Sequence, residues 1–283
     1  MNPLANLHGK IMPLDEVTIS PLDRGFLFGD AVYEVLRIYQ GKPWLEEEHF
    51  DRFTRSISEI RIAGIDMPRM RRRMHETIEA GGFKEAMVYL QVTRGAAPRK
   101  HAFPKDIVPL ELLWVQEYPD SYRPLCESGC SVITFPDLRW HRADIKSTNL
   151  LANVLANQAS SEVGGAEALL YLPDGTLTEA SHSSFFAVQA GKLHTTPLKA
   201  NVLPSITRAY TLRLAEHAAI EVVERNLQRQ ELHEVDELFL VGTTCEVLPI
   251  VNVDGRAIKS GQPGTLTRRL QAIYSESVRV FLR

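Results

Sequence analysis

Lys146 stands in the stretch His141-Arg-Ala-Asp-Ile-Lys-Ser-Thr-Asn-Leu-Leu151, between a polar lead-in and an apolar run. Ser147, Thr148 and Asn149 can each cap a helix. Leu150, Leu151, Val154, Leu155 and Gln158 follow at spacings of three and four, so Lys146 is expected just before a helix packed into the core. Partial burial of such an amine favours its neutral form. A neutral lysine amine is a nucleophile toward aldehydes and a base toward carbon acids. The plainer explanation is a surface lysine snorkelling from a helix start.

Glu179, in Asp174-Gly-Thr-Leu-Thr-Glu-Ala-Ser-His-Ser-Ser-Phe185, is a glutamate after a short strand that could bond a protonated ring nitrogen. Pro204-Ser-Ile-Thr-Arg208 opens a helix whose free N–H groups and positive dipole end suit an anion, with Thr207 adding a hydroxyl. Gly242, Thr243 and Thr244 stand at a strand end, where backbone and hydroxyl donors could meet a second phosphate face. Arg52, on a helix, is either a surface ion-pair member or a bidentate phosphate clamp. The loop Val92-Thr-Arg-Gly-Ala-Ala-Pro-Arg-Lys-His-Ala-Phe-Pro104 carries Arg94, Arg99 and His101. Arginine and histidine two apart on a rigid turn can grip one carboxylate. Each alone also reads as a turn acid, a capped helix or a solvated basic loop.

The positioning elements follow from hydrophobic periodicity. Two short strands are expected over Gly9–Ile19 around Pro13-Leu-Asp-Glu16, then a turn-rich segment with Gly25 and Gly29, then a strand over Ala31–Tyr39. Helices are predicted over Glu46–Ile62 and Pro68–Ala80, the first with Phe50, Phe53, Ile57 and Ile60 on one stripe. Strands follow over Ala86–Thr93 and Leu110–Tyr118. Further on, strands are predicted at Cys130–Phe135, Ala168–Leu172, Ser184–Val188, Lys192–Thr195, Glu221–Glu224, Leu238–Val241 and Glu246–Val253. Helices are predicted over Ser205–Ala218 and Leu266–Leu282. Without steady β-α-β alternation, this favours an α+β fold in two halves over a doubly wound sheet. The two-proline stretch 119–124 is the expected linker, between an N-terminal α/β domain over 1–118 and a C-terminal domain over 125–283.

Composition narrows the partners. A net charge of −3 in 283 residues gives no electrostatic case for nucleic acid or an anionic membrane. Arg71-Arg-Arg73 reads as a solvated helix face. Cys126, Cys130 and Cys245 are odd in number and lack the spacing of a disulfide framework or a zinc site, so no metal is expected. No apolar run suits a signal peptide or a membrane span, which points to a cytoplasmic protein.

Several stretches occur together in one order: Asp23-Arg-Gly-Phe-Leu-Phe-Gly-Asp-Ala-Val-Tyr-Glu34, Glu48-His-Phe-Asp-Arg52, Asp144-Ile-Lys-Ser-Thr-Asn-Leu-Leu151, Leu177-Thr-Glu-Ala-Ser181 and Ile206-Thr-Arg208. In them, nearly the whole chain resembles the class IV (fold type IV) aminotransferases dependent on pyridoxal 5′-phosphate, and within that family the D-amino acid transaminases. The resemblance implies a two-domain fold with the cofactor in the C-terminal domain. It implies that Lys146 holds the cofactor as a Schiff base and serves as general base, and that Glu179 bonds the pyridine nitrogen. Phosphate contacts fall to Arg52, Ile206, Thr207 and Thr243, with a backbone contact at Gly242, where relatives often have serine. Leu203 and Ser181 flank the ring.

The D-specific relatives carry an Arg-X-His pair, here Arg99-Lys-His101, that with Tyr33 traps the substrate α-carboxylate; Thr244 joins the substrate-binding set. That loop reaches in from the second subunit of a homodimer. The implied activity is ping-pong transfer of an amino group between D-amino acids, such as D-alanine or D-glutamate, and 2-oxo acids. His182 and Ser184 depart from the relatives' serine and asparagine. Branched-chain L-amino acid or amine transaminases and aminodeoxychorismate lyases share the fold and are the rival outcomes. A non-catalytic binding protein on the same scaffold is a third.

Overall fold

A computed structural model describes residues 2–199 and 201–283. The fold is mixed helix and sheet, as the sequence pattern leads one to expect. Contacts divide the chain into two compact units. The first holds the chain up to Pro119 together with Ile145–Asn149 and Leu282; the second holds Asp120–Asp144, Leu150–Phe281 and Arg283. Ile145–Asn149, assigned from sequence to a C-terminal domain starting at 125, thus packs with the N-terminal unit.

The first unit runs β1 (Leu4–Leu7), β2 (Lys10–Pro13), α1 (Arg24–Phe28), β3 (Ala31–Tyr39), β4 (Lys42–Pro43), α2 (Glu46–Glu59), α3 (Met67–Gly81), β5 (Ala86–Thr93) and β6 (Leu110–Glu117). Its strands form one antiparallel sheet in the order β2-β1-β6-β5-β3-β4. Alternation along β3 and β5 buries Val32, Leu36, Val88 and Leu90 on one face, against Phe50, Phe53 and Ile57 of α2 and Met70, Met74 and Ile78 of α3. Asp66 caps α3 by accepting from the Arg69 N–H at 2.8 Å, and Gly82 ends it at φ 63°.

Two expectations fail in this unit. The first strand pair is 4–7 with 10–13, because His8 and Gly9 both take left-handed backbone (φ 52° and 94°) and make the tight turn there. Residues 14–16 form a single 3-10 turn instead of a hairpin loop. The turn-rich segment is the short helix α1, with Asp23 accepting from Gly25 N at 2.8 Å.

The second unit runs α4 (Arg123–Ser128), β7 (Cys130–Pro136), α5 (Leu151–Ser161), β8 (Glu167–Tyr171), β9 (Leu177–Ala180), β10 (Ser184–Gln189), β11 (Lys192–Thr195), α6 (Ile206–His217), β12 (Val222–Glu224), β13 (Glu237–Gly242), β14 (Glu246–Val253), β15 (Arg256–Ala257) and α7 (Thr265–Leu282). Its sheet has the order β12-β11-β10-β13-β14-β7-β8-β9, with β15 beside β14. The β11–β12, β14–β7 and β7–β8 pairs are parallel and the others antiparallel. Short α4 and β15 carry too little periodicity to be visible in sequence, and Glu179, expected after a short strand, lies within β9.

The helix after Lys146 is also not as expected. Leu151, Val154 and Leu155 are 72%, 58% and 51% exposed, while α5 buries Ala156 and Ser160 against β8. The small residues permit close approach to the sheet, and the Ser160 hydroxyl donates to Glu167 O at 2.7 Å. The leucine stripe is therefore turned away from the unit's own core. Leu150 occupies the cap position with no side-chain cap bond.

Candidate active site

The sequence-identified residues fall into two sets, one in each unit. In the first, Ile145 is 5% exposed and belongs to the core around α2 and β3. Behind it the chain lies extended along β3. Tyr33 N donates to Lys146 O at 3.0 Å and Thr148 N to Ala31 O at 3.1 Å, with Val32 and Ser147 bridged between them. Lys146 N donates to Ser56 Oγ of α2 at 3.3 Å, and Asn149 Nδ2 to Gly29 O at 3.0 Å. The three potential cap residues are thus spent on β3 and Gly29.

Lys146 is half-buried, and its Nζ lies 3.3 Å from Tyr33 Oη and 4.3 Å from the centre of that ring. Tyr33 stacks on Tyr89, and Tyr89 on Trp114 at 3.8 Å between centres. This aromatic ladder crosses β3, β5 and β6 and limits the swing of the phenol that meets the amine.

Arg52 does not face solvent as an ordinary helix arginine. Its Nε and Nη2 donate to the Glu34 carboxylate at 2.9 and 2.6 Å, and Glu34 is fully buried. His49 Nδ1 is 3.4 Å from the same carboxylate without a hydrogen bond of good geometry. Burial alone would raise the Glu34 carboxyl; the Arg52 charge, then His49, override it and hold it far below its ordinary value of 4.5. Glu34→Gln should therefore cost about 3–5 kcal/mol of stability at pH 7, because it leaves a buried guanidinium without its carboxylate. Since the folded-state value is depressed, this contribution is complete above 4.5 and fades as pH falls toward the folded value. Denaturant unfolding of parent and variant should show a gap that is widest near neutrality and narrows in acid.

On the β5–β6 loop, Arg99 and His101 are exposed, and both meet one ring. The His101 ring centre lies 5.4 Å from that of Phe28, and the Arg99 guanidinium 5.3 Å from it. Gly95 begins the loop at φ 103°, where a Cβ would come within 2.1 Å of Val108 O, so no other residue fits there.

In the second unit all four residues of β9 are buried, Glu179 among them at 6% exposure. Its Oε1 accepts from Leu203 N at 3.1 Å and from Arg139 Nη1. Arg139 in turn forks onto Asp137, with Nε–Oδ1 at 3.0 Å and Nη2–Oδ2 at 2.8 Å, and donates to Asn201 O at 3.2 Å. Thr178 Oγ1 donates to Asp137 at 2.7 Å. Burial pushes the Glu179 carboxyl up, and the Arg139 charge pulls against it without cancelling it. A carboxylate in that condition is better stabilised by one more cationic N–H.

Ser205 caps α6, its Oγ accepting from Arg208 N at 3.1 Å; Ile206 and Thr207 are buried in the first turn. Thr243 and Thr244 form the turn between β13 and β14, where Gly242 pairs with Glu246. A Cβ at Gly242 would meet Ser183 Oγ at 3.0 Å and Cys245 Sγ at 3.1 Å, which suits the glycine. Ser181 is 1% exposed, its hydroxyl between Asn157 Oδ1 at 3.2 Å and Glu167 Oε2 at 3.3 Å. Glu167, itself fully buried, also accepts from Ser183 Oγ at 2.5 Å and His182 N at 2.9 Å. Ser184 lies in β10 opposite Val241.

Sequence reasoning missed Glu34, Asp137 and Arg139. Asp-X-Arg at two-residue spacing was the only local trace of the last pair. Each unit by itself carries donor types that a phosphorylated pyridine aldehyde would use: an amine held against a phenol in the first, and in the second an under-compensated buried carboxylate and a helix N-terminus flanked by hydroxyls. Among the described residues no cluster of three or more His, Cys, Asp or Glu could hold a metal ion, and no helix is long and apolar enough to cross a membrane.

The fold and these donor types suit an aminotransferase of the pyridoxal-phosphate type. Residues 31–253 match the class IV aminotransferase family, and the chain belongs to it. It is 36% identical over 277 residues to the D-alanine aminotransferase of Bacillus licheniformis, covering 96% of this chain and 95% of that protein. Its fold is similar to that of the T.th. branched-chain amino acid aminotransferase with pyridoxamine 5′-phosphate, at TM-score 0.89 and 25% identity over 97% and 93% of the two chains. It is likewise similar to the Escherichia coli branched-chain amino acid aminotransferase, at TM-score 0.88 and 22% identity over 95% and 92%. The chain is a transaminase whose cofactor is pyridoxal 5′-phosphate.

Proposed function

We propose that this enzyme transfers amino groups between D-amino acids and 2-oxo acids. The observation that carries the reading is the Arg99–His101 pair, held against one ring on a loop begun by an obligatory glycine. Two adjacent cationic or donor groups suit a carboxylate. The likeness to D-alanine aminotransferases over nearly the full chain supports it.

When bound, the cofactor supplies an electron sink for the charge left at the substrate Cα. Arg52, Ile206, Thr207, Gly242 and Thr243 are the proposed phosphate contacts, and Leu203 and Ser181 those beside the ring. Glu179 Oε would accept the N–H of the cofactor's ring nitrogen, with Arg139 and Leu203 N orienting the carboxylate. Lys146 Nζ would hold the cofactor covalently, and as a free amine it would be the base that takes and returns the proton at the substrate Cα. Tyr33 Oη aims that amine, while Arg99, His101 and Thr244 bind the substrate.

We place the enzyme in a reducing cytoplasm, where Cys126, Cys130 and Cys245 stay free, as a homodimer that covers the apolar face of α5. Parallel incubation with D-alanine or L-leucine and 2-oxoglutarate tests the substrate reading. Pyruvate from D-alanine without reaction of L-leucine supports it. Preferential turnover of L-leucine would move the enzyme to the branched-chain class that its structural neighbours represent. Arg99→Ala should raise KM for D-alanine by about ten- to a hundredfold, the loss of a charge-assisted pair, with the cofactor still bound.

A further inference from the structure

Arg24 is 3% exposed, yet its guanidinium serves no core element beyond its own ion pair. Its Nε donates to Asp30 Oδ2 at 2.7 Å. Its other two nitrogens reach the exposed β5–β6 loop: Nη1 donates to Lys100 O at 2.5 Å and Nη2 to His101 O at 3.1 Å. The first carbonyl belongs to Lys100, which separates the two carboxylate-binding candidates, and the second to His101, one of them. Asp30 is itself immobilised, because Arg94 forks onto it at 2.8 and 2.9 Å and is anchored to Ile60 O and Arg61 O. Phe28 completes the arrangement, with the Arg24 guanidinium 5.0 Å from its ring centre, beside Arg99 and His101.

We propose that Arg24, fixed by Asp30 and working with Phe28, is a positioning residue that presents Arg99 and His101 as a preformed carboxylate clamp. It grips backbone carbonyls, so both side chains stay available for a ligand. The physical need is clear: the pair is exposed, and an exposed arginine loses rotamer freedom on binding unless that freedom is already restricted. The buried Arg94–Asp30–Arg24 chain carries the restraint from the rigid end of β5 to the loop. This inference rests on the reading that Arg99 and His101 bind the substrate carboxylate.

The test is Arg24→Met in the holoenzyme, beside Arg99→Ala, His101→Ala, the double variant Arg99→Ala/His101→Ala and the triple variant Arg24→Met/Arg99→Ala/His101→Ala. Leaving two side chains to find their geometry should raise KM for D-alanine and for 2-oxoglutarate by about tenfold, with kcat within about twofold. The visible spectrum of the bound cofactor should not change. Added to Arg99→Ala/His101→Ala, Arg24→Met should have no further effect on KM. Independently of activity, trypsin should cut after Arg99 and Lys100 faster in Arg24→Met than in the parent.

If Arg99→Ala raises KM but Arg24→Met changes neither KM nor the cleavage rate, the positioning role is wrong and the carboxylate reading stands. If Arg99→Ala and His101→Ala leave KM unchanged, the carboxylate reading falls and takes this role with it. Should Arg24→Met not be recovered folded, Phe28→Leu carries the same test under the same KM and cleavage criteria.

Discussion

Lys146→Ala should abolish transamination, with kcat falling by more than about 10⁴-fold. A positioned general base by itself contributes about 10²–10⁴, and this residue is also the proposed covalent anchor for the cofactor. The structure gives the replacement nothing to fall back on. The amine is delivered to one place by Ile145 in the core, by the pairing of Lys146 O with Tyr33 N, and by the Tyr33 hydroxyl 3.3 Å away. Because these restraints act through the backbone and a neighbouring residue, the alanine variant should keep its fold. Single-turnover mixing with D-alanine measures the chemical step, and borohydride treatment followed by peptide mass analysis should tag residue 146 in the parent alone. Turnover by Lys146→Ala at the parental rate would refute the assignment. A non-catalytic binding protein would show neither the tag nor the loss.

Glu179→Gln should be the next most damaging change, lowering kcat by about 10²–10³-fold, the range for removing one preorganised electrostatic stabiliser. Glutamine keeps the volume and the acceptor for Leu203 N but not the charge. Two effects follow from the network around it. Arg139 retains Asp137, so its guanidinium stays paired and the protein should remain folded. The ring nitrogen, without an anionic partner, should lose its proton more readily, which the visible spectrum of the bound cofactor reports during a pH titration. The parent's Glu179 carboxyl titrates above its ordinary value of 4.5 because it is buried. Ionisation is therefore completed only as pH rises through that raised value, and the acid limb of kcat should lie correspondingly higher than for an exposed glutamate. The limb should be absent in Glu179→Gln. Arg139→Met, which removes the opposing charge, should move the parent's limb further up. An identical acid limb in all three proteins would show that Glu179 does not control this step.

Much of the architecture could be read along the chain. Alternation placed β3, β5 and β14 within a residue of their ends, and a proline at 68 and glycines at 81 and 82 bracketed α3, whose cap at Asp66 only the structure shows. These are local patterns: a half-buried strand or an amphipathic helix carries its period in its own residues. The stretches around Lys146, Glu179, Arg52 and Ile206-Thr-Arg208 were legible through a family resemblance, and residues 31–253 match that family. What they pack against was not legible. The leucines after Lys146 have core-like spacing yet face outward on α5, because periodicity says which side of a helix is apolar and not what covers it.

From the sequence alone came the class of chemistry: one lysine, one glutamate and a phosphate-type helix start in the order of a known family, with a composition that points away from nucleic acid and membranes. Only the tertiary structure decided which groups restrain them. Lys146 is laid along β3 against Tyr33, Arg52 is forked onto Glu34, Glu179 is set beside Arg139, and the Arg99–His101 loop is tied down by Arg24. Each of these is a contact between residues 18 to 113 positions apart in the chain. Buried charges take their partners wherever the fold closes, since an unpaired one is costly, and no local pattern in the chain records that choice.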